Sequence, residues 1–227
     1  MFEGKYGKAI IIGIVVLVLI ALGTLTFFVV DFIKNSNDKS KAAMTAEEYE
    51  NEVVSGSKKK NKNKTNEEQS TIGLNLQVEN IESSGEGGSE SSKTKMYKGF
   101  PMAGTIKIPK IKLNLPVLSD ATKDSIDVSV AINGGPGLNK VGNTLIIGHN
   151  YRDGRFFANL KNLANGDKIT IIDNEGTSID YKVYNIYTTA PEDSDFMNRD
   201  TNGAREITLD TCTDDVQSRL IVWAKEV

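Results

Sequence analysis

The spacing of hydrophobic and polar positions changes twice along the chain. From Ala9 to Val30 every residue of AIIIGIVVLVLIALGTLTFFVV is uncharged. At ~1.5 Å per residue this run is long enough to cross a ~30 Å hydrocarbon layer as a helix. A cleaved leader is the competing expectation, but the run exceeds an ordinary leader core and no small-x-small cleavage site follows Val30. The expected organisation is therefore a short tail over 1–8 and a membrane anchor over 9–30. Lys5 and Lys8 precede the span and Lys34, Lys39 and Lys41 follow it, so flanking charge is nearly balanced and does not orient it.

From 31 to 95 the periodicity fades. SGSKKKNKNKTNEEQ and SSGEGGSESSKTK are rich in Ser, Gly, Asn, Lys and Glu. Such composition buries too little apolar surface to offset the entropy of ordering, which predicts a flexible low-complexity linker. Its lysine run, Lys58 to Lys64, is read as solvated. Two islands stand out. Thr45 and Glu48 have capping-box spacing for a short helix, and Ile72, Leu74, Leu76 and Val78 alternate like one strand.

Beyond Met96 the pattern becomes short strands. GTIKIPKI, LNLPVL, NTLIIGHN, KITIID, SIDYKVYNIYTTA, EITLDTC and RLIVWAKEV each alternate or form a short apolar run closed by turn residues. RFFANLKNL places Phe156, Phe157, Leu160 and Leu163 at helical spacing, which predicts a small amphipathic helix. Regular strand–helix alternation is missing, so the fold class expected for 96–227 is mainly β: a closed barrel of about seven or eight strands with one or two short helices.

Composition removes several functions. A net charge of −3 gives no electrostatic reason to expect a nucleic-acid partner. One cysteine and one histidine exclude an intramolecular disulfide and a Cys/His zinc site. What remains is a candidate reactive pair. His149 and Cys212 are each unique and each ends a predicted strand, where side chains distant in sequence converge. A thiol nucleophile with a histidine as proton partner is one reading; a buried structural Cys and a structural His are the other. Arg219 lies seven residues after Cys212, opening the last strand. A tight turn between the two strands would set it beside the thiol, where a guanidinium favours thiolate and holds an oxyanion. Asp210, Asp214 and Asp215 count against a reactive thiol unless a cation offsets them.

These residues carry a resemblance. TLDTC, Thr208 to Cys212, fits the TLxTC signature of sortases, the cysteine transpeptidases of Gram-positive surfaces. GHN after a hydrophobic strand resembles the sortase histidine segment, and Arg219 completes the family's Cys-His-Arg set; the similarity covers about Ala103 to Val227. The resemblance implies a sortase barrel over 96–227 in which Cys212 attacks the Thr-Gly carbonyl of an LPXTG-like sorting signal. His149 would protonate the leaving amine, and Arg219 would support the oxyanion. Thr211 would help orient the substrate. A cell-wall amine would then resolve the thioester. It implies a cytoplasmic tail, a single-pass anchor in the cell membrane and a catalytic domain facing the wall, with surface proteins and peptidoglycan amines as partners. No cofactor is implied. Glu192, Asp193 and Asp195 suggest calcium only weakly, since their spacing matches no defined calcium loop.

Subtype is read from what the sequence does not show. It ends at Val227, no Asp-Pro-aromatic motif precedes the barrel, and only the 15 residues 191–205 separate YNIYTTA from EITLDTC. A class A-, D- or E-like enzyme is expected rather than class B or pilin-type C. Two rivals stay open: a cysteine peptidase acting by hydrolysis, and a non-enzymatic, membrane-tethered barrel that binds wall polymers.

Overall fold

The computed structural model describes residues 5–66 and 95–227. The first element is one long helix, α1 (Lys5–Asn66). It contains the apolar run, whose large side chains from Ile12 to Ile33 are exposed. Thr24 and Thr26 donate their hydroxyls to the carbonyls of Ala21 and Gly23 at 2.9 and 2.8 Å, so neither adds an unpaired polar group to that surface. The segment expected as a linker from Asp31 is helical as far as Asn66, and Thr45 lies within α1 rather than starting a helix. No proline occurs before Pro101, so nothing in the backbone chemistry forces a stop. The chain divides into two compact units, 1–41 and 42–227. The expected strand at Ile72 to Val78 lies outside the described residues.

In the second unit, the part of α1 beyond Lys41 packs on the barrel. Ala42, Ala46 and Tyr49 are buried, with Val53 partly so. The spacing i, i+4, i+7, i+11 is one helix face. Thr105 donates to Glu50 Oε1 at 3.1 Å, Lys95 pairs with Glu52, and burial pushes the Tyr49 hydroxyl up to about 12.

The barrel is built from β1 (Met96–Tyr97), β2 (Phe100–Ile108), β3 (Leu113–Leu118), β4 (Val130–Gly134), β5 (Gly142–Ile147), β6 (Lys168–Asp173), β7 (Ser178–Thr189), β8 (Arg205–Cys212) and β9 (Arg219–Glu226). The sheet order is β1-β2-β3-β4-β5-β8-β9-β7-β6, and pairing of β2 with β6 closes the ring over β2 to β9. Closure leaves these strands without a free edge. Two neighbours are parallel, β3 with β4 and β5 with β8; the other pairs are antiparallel. A four-residue helix, α2 (Lys123–Ile126), makes the crossover from β3 to β4.

Strand alternation sends every second side chain inward. Ile106, Val117, Ile146, Ile169, Ile171, Val183, Ile207, Leu209 and Val222 form a continuous core. Each fully buried aliphatic side chain stabilises the fold by roughly 1.5–3 kcal/mol. A second, smaller cluster lies on the outer face: Leu145, Ile221 and Phe196, with Ile147, Tyr187, Met197 and Trp223 against them. Phe196 and Met197 belong to the loop between β7 and β8, which covers that face.

Two expectations need adjustment. The amphipathic helix read at RFFANLKNL is a single 3₁₀ turn, Leu160–Asn162, preceded by Phe156 in the left-handed region at φ 51°. A phenylalanine at positive φ ends helical geometry. The apolar spacing is explained by packing instead, since Phe157, Leu160 and Leu163 are buried. The strand β4 also had no counterpart among the seven sequence patterns. It is short, ends in glycine, and pairs with β3 through only Val117↔Val130 and Leu118↔Ala131.

Candidate active site

The site starts from strand register. The six-residue connection 213–218 turns β8 back into β9, and the pair ends with Cys212 directly opposite Arg219. The turn is fixed by its own polar groups. Thr213 N–H donates to the Ser218 carbonyl at 2.9 Å, and Val216 takes φ 56° while its N–H donates to the Thr213 carbonyl at 2.9 Å. Asp215 Oδ1 accepts from the Thr213 hydroxyl at 2.5 Å and from Gln217 N–H at 3.1 Å. These bonds hold the Asp215 carboxyl below the usual carboxylate range.

His149 arrives from the other side of β8. β5 runs parallel to it, with Ile147 level with Asp210, and His149 and Cys212 each follow that pair by two residues. Three bonds extend the pairing past the strand end. Gly148 N–H donates to the Asp210 carbonyl at 3.2 Å, Thr211 Oγ1 donates to the Gly148 carbonyl at 2.7 Å, and Asn150 Nδ2 donates to the Cys212 carbonyl at 2.9 Å. A Cβ on Gly148 would lie 2.7 Å from Val130 Cγ1 and 3.0 Å from the Phe157 ring, so the close approach needs glycine. The His149 carbonyl accepts from Phe157 N–H at 3.1 Å, tying the residue to the core from behind.

The imidazole itself faces Asp127. Nε2 lies 3.2 Å from Asp127 Oδ1, an ion pair whenever the ring carries its second proton. Tyr151 donates its hydroxyl to the same oxygen at 2.9 Å and its ring centroid is 5.0 Å from that of His149. Partial burial and that bond to Asp127 raise the Tyr151 hydroxyl above its ordinary value. Asp127 is placed by α2, whose reciprocal cap joins Ser125 N–H to Thr122 Oγ1 at 3.1 Å and Thr122 N–H to Ser125 Oγ at 2.7 Å.

Arg219 does not stand alone. Its Nε donates to Asp210 Oδ1 at 2.8 Å, and Nη2 is bonded to Oδ2 of the same carboxylate. The bond to Asp210 raises the Arg219 pKa; partial burial opposes this, and the charges of Asp210 and of a Cys212 thiolate add to the rise. Nη1 hydrogen-bonds to no described residue. Asp210 is the cation-offset carboxylate of the set. Asp214 is paired elsewhere: Asn150 Nδ2 donates to Oδ1 at 2.9 Å and Lys161 Nζ to Oδ2 at 2.6 Å. Those bonds, led by that of Lys161, hold the Asp214 carboxyl below the usual range.

Cys212 is half-buried and lines an open cleft of about 480 Å³ together with Thr188, Ala158, Ser218 and Leu220. The structure thus brings His149, Cys212 and Arg219 to one rim of the barrel. Thr211 lines the cleft as well, but it is 3% exposed and its hydroxyl is committed to Gly148, so what it fastens is the segment carrying His149. Sequence reasoning missed Asp127 and Asn150; no residue pattern links either to the site, because both are placed by register and by α2. Among the described residues no three His, Cys, Asp or Glu side chains gather as metal ligands. In the acidic loop, Asp193 accepts from Thr189 and from Asp195 N–H, and both bonds lower its pKa.

The chain is similar to known proteins over the barrel. The sortase domain family profile matches residues 106–227. Sortase A of Bacillus anthracis is 33% identical over 111 residues, 48% of this chain, and the alignment spans about half (51%) of that relative. Sortase A from Corynebacterium diphtheriae superposes with a TM-score of 0.52 at 28% identity, covering 56% of this chain and 61% of that one. Sortase C1 of Streptococcus agalactiae gives 0.51 at 25% identity, covering 56% and 69%.

Proposed function

The chain belongs to the sortase family, and from that premise we propose that it is a membrane-anchored cysteine transpeptidase of the class A-, D- or E-like kind. It cleaves an LPXTG-like sorting signal between Thr and Gly and transfers the acyl group to an amine of the cell wall. The observation that carries this reading is the register: Cys212 opposite Arg219 across β8–β9, and Ile147 level with Asp210 across the parallel β5–β8 pair, with His149 and Cys212 each two residues further along.

The chemistry follows from that placement. The Cys212 thiolate attacks the threonine carbonyl carbon, and the π electrons move onto oxygen. Arg219 supports this oxyanion through Nη1, since Nε and Nη2 are held by Asp210. The C–N bond then breaks as His149 delivers a proton to the departing glycine amine, leaving a Cys212 thioester. An incoming amine gives a proton back to His149, attacks the thioester carbonyl and releases the thiolate. Asp127 and Tyr151 orient the imidazole.

The anchor reading rests on α1, whose apolar stretch is long enough to span a bilayer and has its side chains exposed. On sortase precedent, the tail before it lies in the cytoplasm and the barrel lies outside, facing the wall. The partners are surface proteins bearing the sorting signal and a peptidoglycan amine.

The test uses the full chain in detergent micelles with an LPXTG peptide library, with and without oligoglycine. Intact-mass analysis should trap an acyl adduct on Cys212, and added oligoglycine should convert free-acid product into amide. Hydrolysis indifferent to every amine offered would point to a peptidase instead. Unchanged turnover in Cys212→Ala would remove the thiol mechanism altogether.

A further inference from the structure

The TLxTC motif leaves its third position open, and here that position is a buried charge. Asp210 is fully buried, and it precedes Cys212 by two residues, which puts both side chains on the outer face of β8. Arg219, opposite Cys212, shares that face. Both carboxylate oxygens of Asp210 are taken by the guanidinium in a two-point fork. We propose that Asp210 is a positioning residue that fixes the Arg219 guanidinium beside Cys212, and that Arg219 is in return the counter-ion without which a buried negative charge would stand next to the thiol. This rests on reading Cys212 as the nucleophile.

The fork makes orientation and charge separable. A planar guanidinium held at Nε and Nη2 cannot rotate, so Nη1 points along one direction set by Asp210. A free arginine that is 28% exposed would sample several orientations instead. The same pairing neutralises part of the pull that Arg219 exerts on a thiolate. Asp210 therefore exchanges electrostatic help for geometric precision. The other charged groups around Cys212 do not replace either partner. On the turn, Asp214 is bonded to Lys161 and Asn150, and Asp215 to Thr213 and Gln217. Beyond β5, His149 faces Asp127.

One consequence separates this arrangement from a lone oxyanion arginine. Arg219→Ala removes a donor and also strands Asp210, and a stranded buried carboxylate opposes ionisation of the neighbouring thiol. Removing both partners relieves that second effect. The measurements are the pH dependence of Cys212 alkylation by iodoacetamide, the melting temperature, and kcat and KM with an LPXTG-like peptide, all on the full chain in micelles.

Arg219→Ala should lower the melting temperature by roughly 10 °C and move the pH of half-maximal alkylation up by about one unit. Adding Asp210→Ser should return that midpoint to within a few tenths of the parent and recover most of the melting temperature. Its kcat should stay low because the donor is still missing. Asp210→Ser alone should shift the midpoint downward while cutting kcat about tenfold with little change in KM. If Arg219→Ala proves too unstable to handle, this single variant decides the matter. A double variant with the same midpoint as Arg219→Ala, or no shift in Asp210→Ser, overturns the proposal. Failure of the parent enzyme to form a thioester would instead overturn the transpeptidase reading and leave the alkylation comparison intact.

Discussion

The inner and outer faces of β8 are one strand built to opposite specifications. Inward, Ile207 and Leu209 join the central core and bring no polar side-chain atom with them. Outward, Thr208 and Asp210 are just as buried, yet each is bonded: Thr208 Oγ1 donates to Asn143 Oδ1 at 2.8 Å, and Asp210 receives Arg219. Outer burial comes from the β7–β8 loop, which lays Phe196 over Leu145 and Ile221. The contrast teaches how a barrel hosts chemistry. Because the side-chain period is two, the apolar face fixes the register, and the register then delivers Asp210 and Cys212 outward together. A slip of one residue would bury the thiol in the core and expose Leu209.

The sharpest way to break the comparison is to truncate one residue on each face. Cys212→Ala should abolish thioester formation and leave thermal stability nearly unchanged, since the side chain is small and only half-buried. Leu209→Ala should do the reverse, costing about 2–5 kcal/mol of stability by cavity formation while the folded fraction keeps its thiol reactivity. Denaturant unfolding and active-site titration of both variants check this. Equal loss of stability in the two would mean that the faces are not independent.

A smaller effect is expected where the faces communicate. Gly148 lies against Val130 and Phe157 on the core side, yet the next residue is His149. Gly148→Ala forces a methyl into a 2.7 Å gap, so about 1–3 kcal/mol of stability should be lost. The displaced strand end should also lower kcat more than it raises KM, which steady-state kinetics resolves. Restoration of kcat by a compensating Val130→Ala would confirm that the clash, rather than a lost backbone conformation, is responsible.

Much of this division was legible in the sequence. Seven strands announced themselves by alternation, because inward apolar and outward polar positions are what a barrel wall requires. The Cys–Arg pairing followed from two strands and a short connection. The harder features are those for which local pattern carries no information. β4 has five residues and two partners in β3, too little for a periodic signal. The face of α1 beyond Lys41 hides in a polar composition, although Ala42, Ala46, Tyr49 and Val53 keep helical spacing. Asp210 is the instructive case. As a neighbour of the thiol in sequence it looked like a liability, whereas strand parity with Cys212 and antiparallel pairing to Arg219 make it half of an ion pair.

The turn beyond Cys212 supplies the smallest test, because its charges are solvent-exposed and screened by salt. Asp214 joins Asn150 and Lys161, and its folded-state pKa is depressed, first by the bond to Lys161. A depressed carboxylate stabilises the fold above its unfolded value of ~3.9 and loses that contribution as pH falls through the lower folded value. The melting difference between the parent and Asp214→Asn should therefore be constant from neutral pH down to about pH 5 and shrink below ~4. It should also shrink in high salt at neutral pH. An unchanged difference at pH 3 would show that Asp214 acts through its shape rather than its charge.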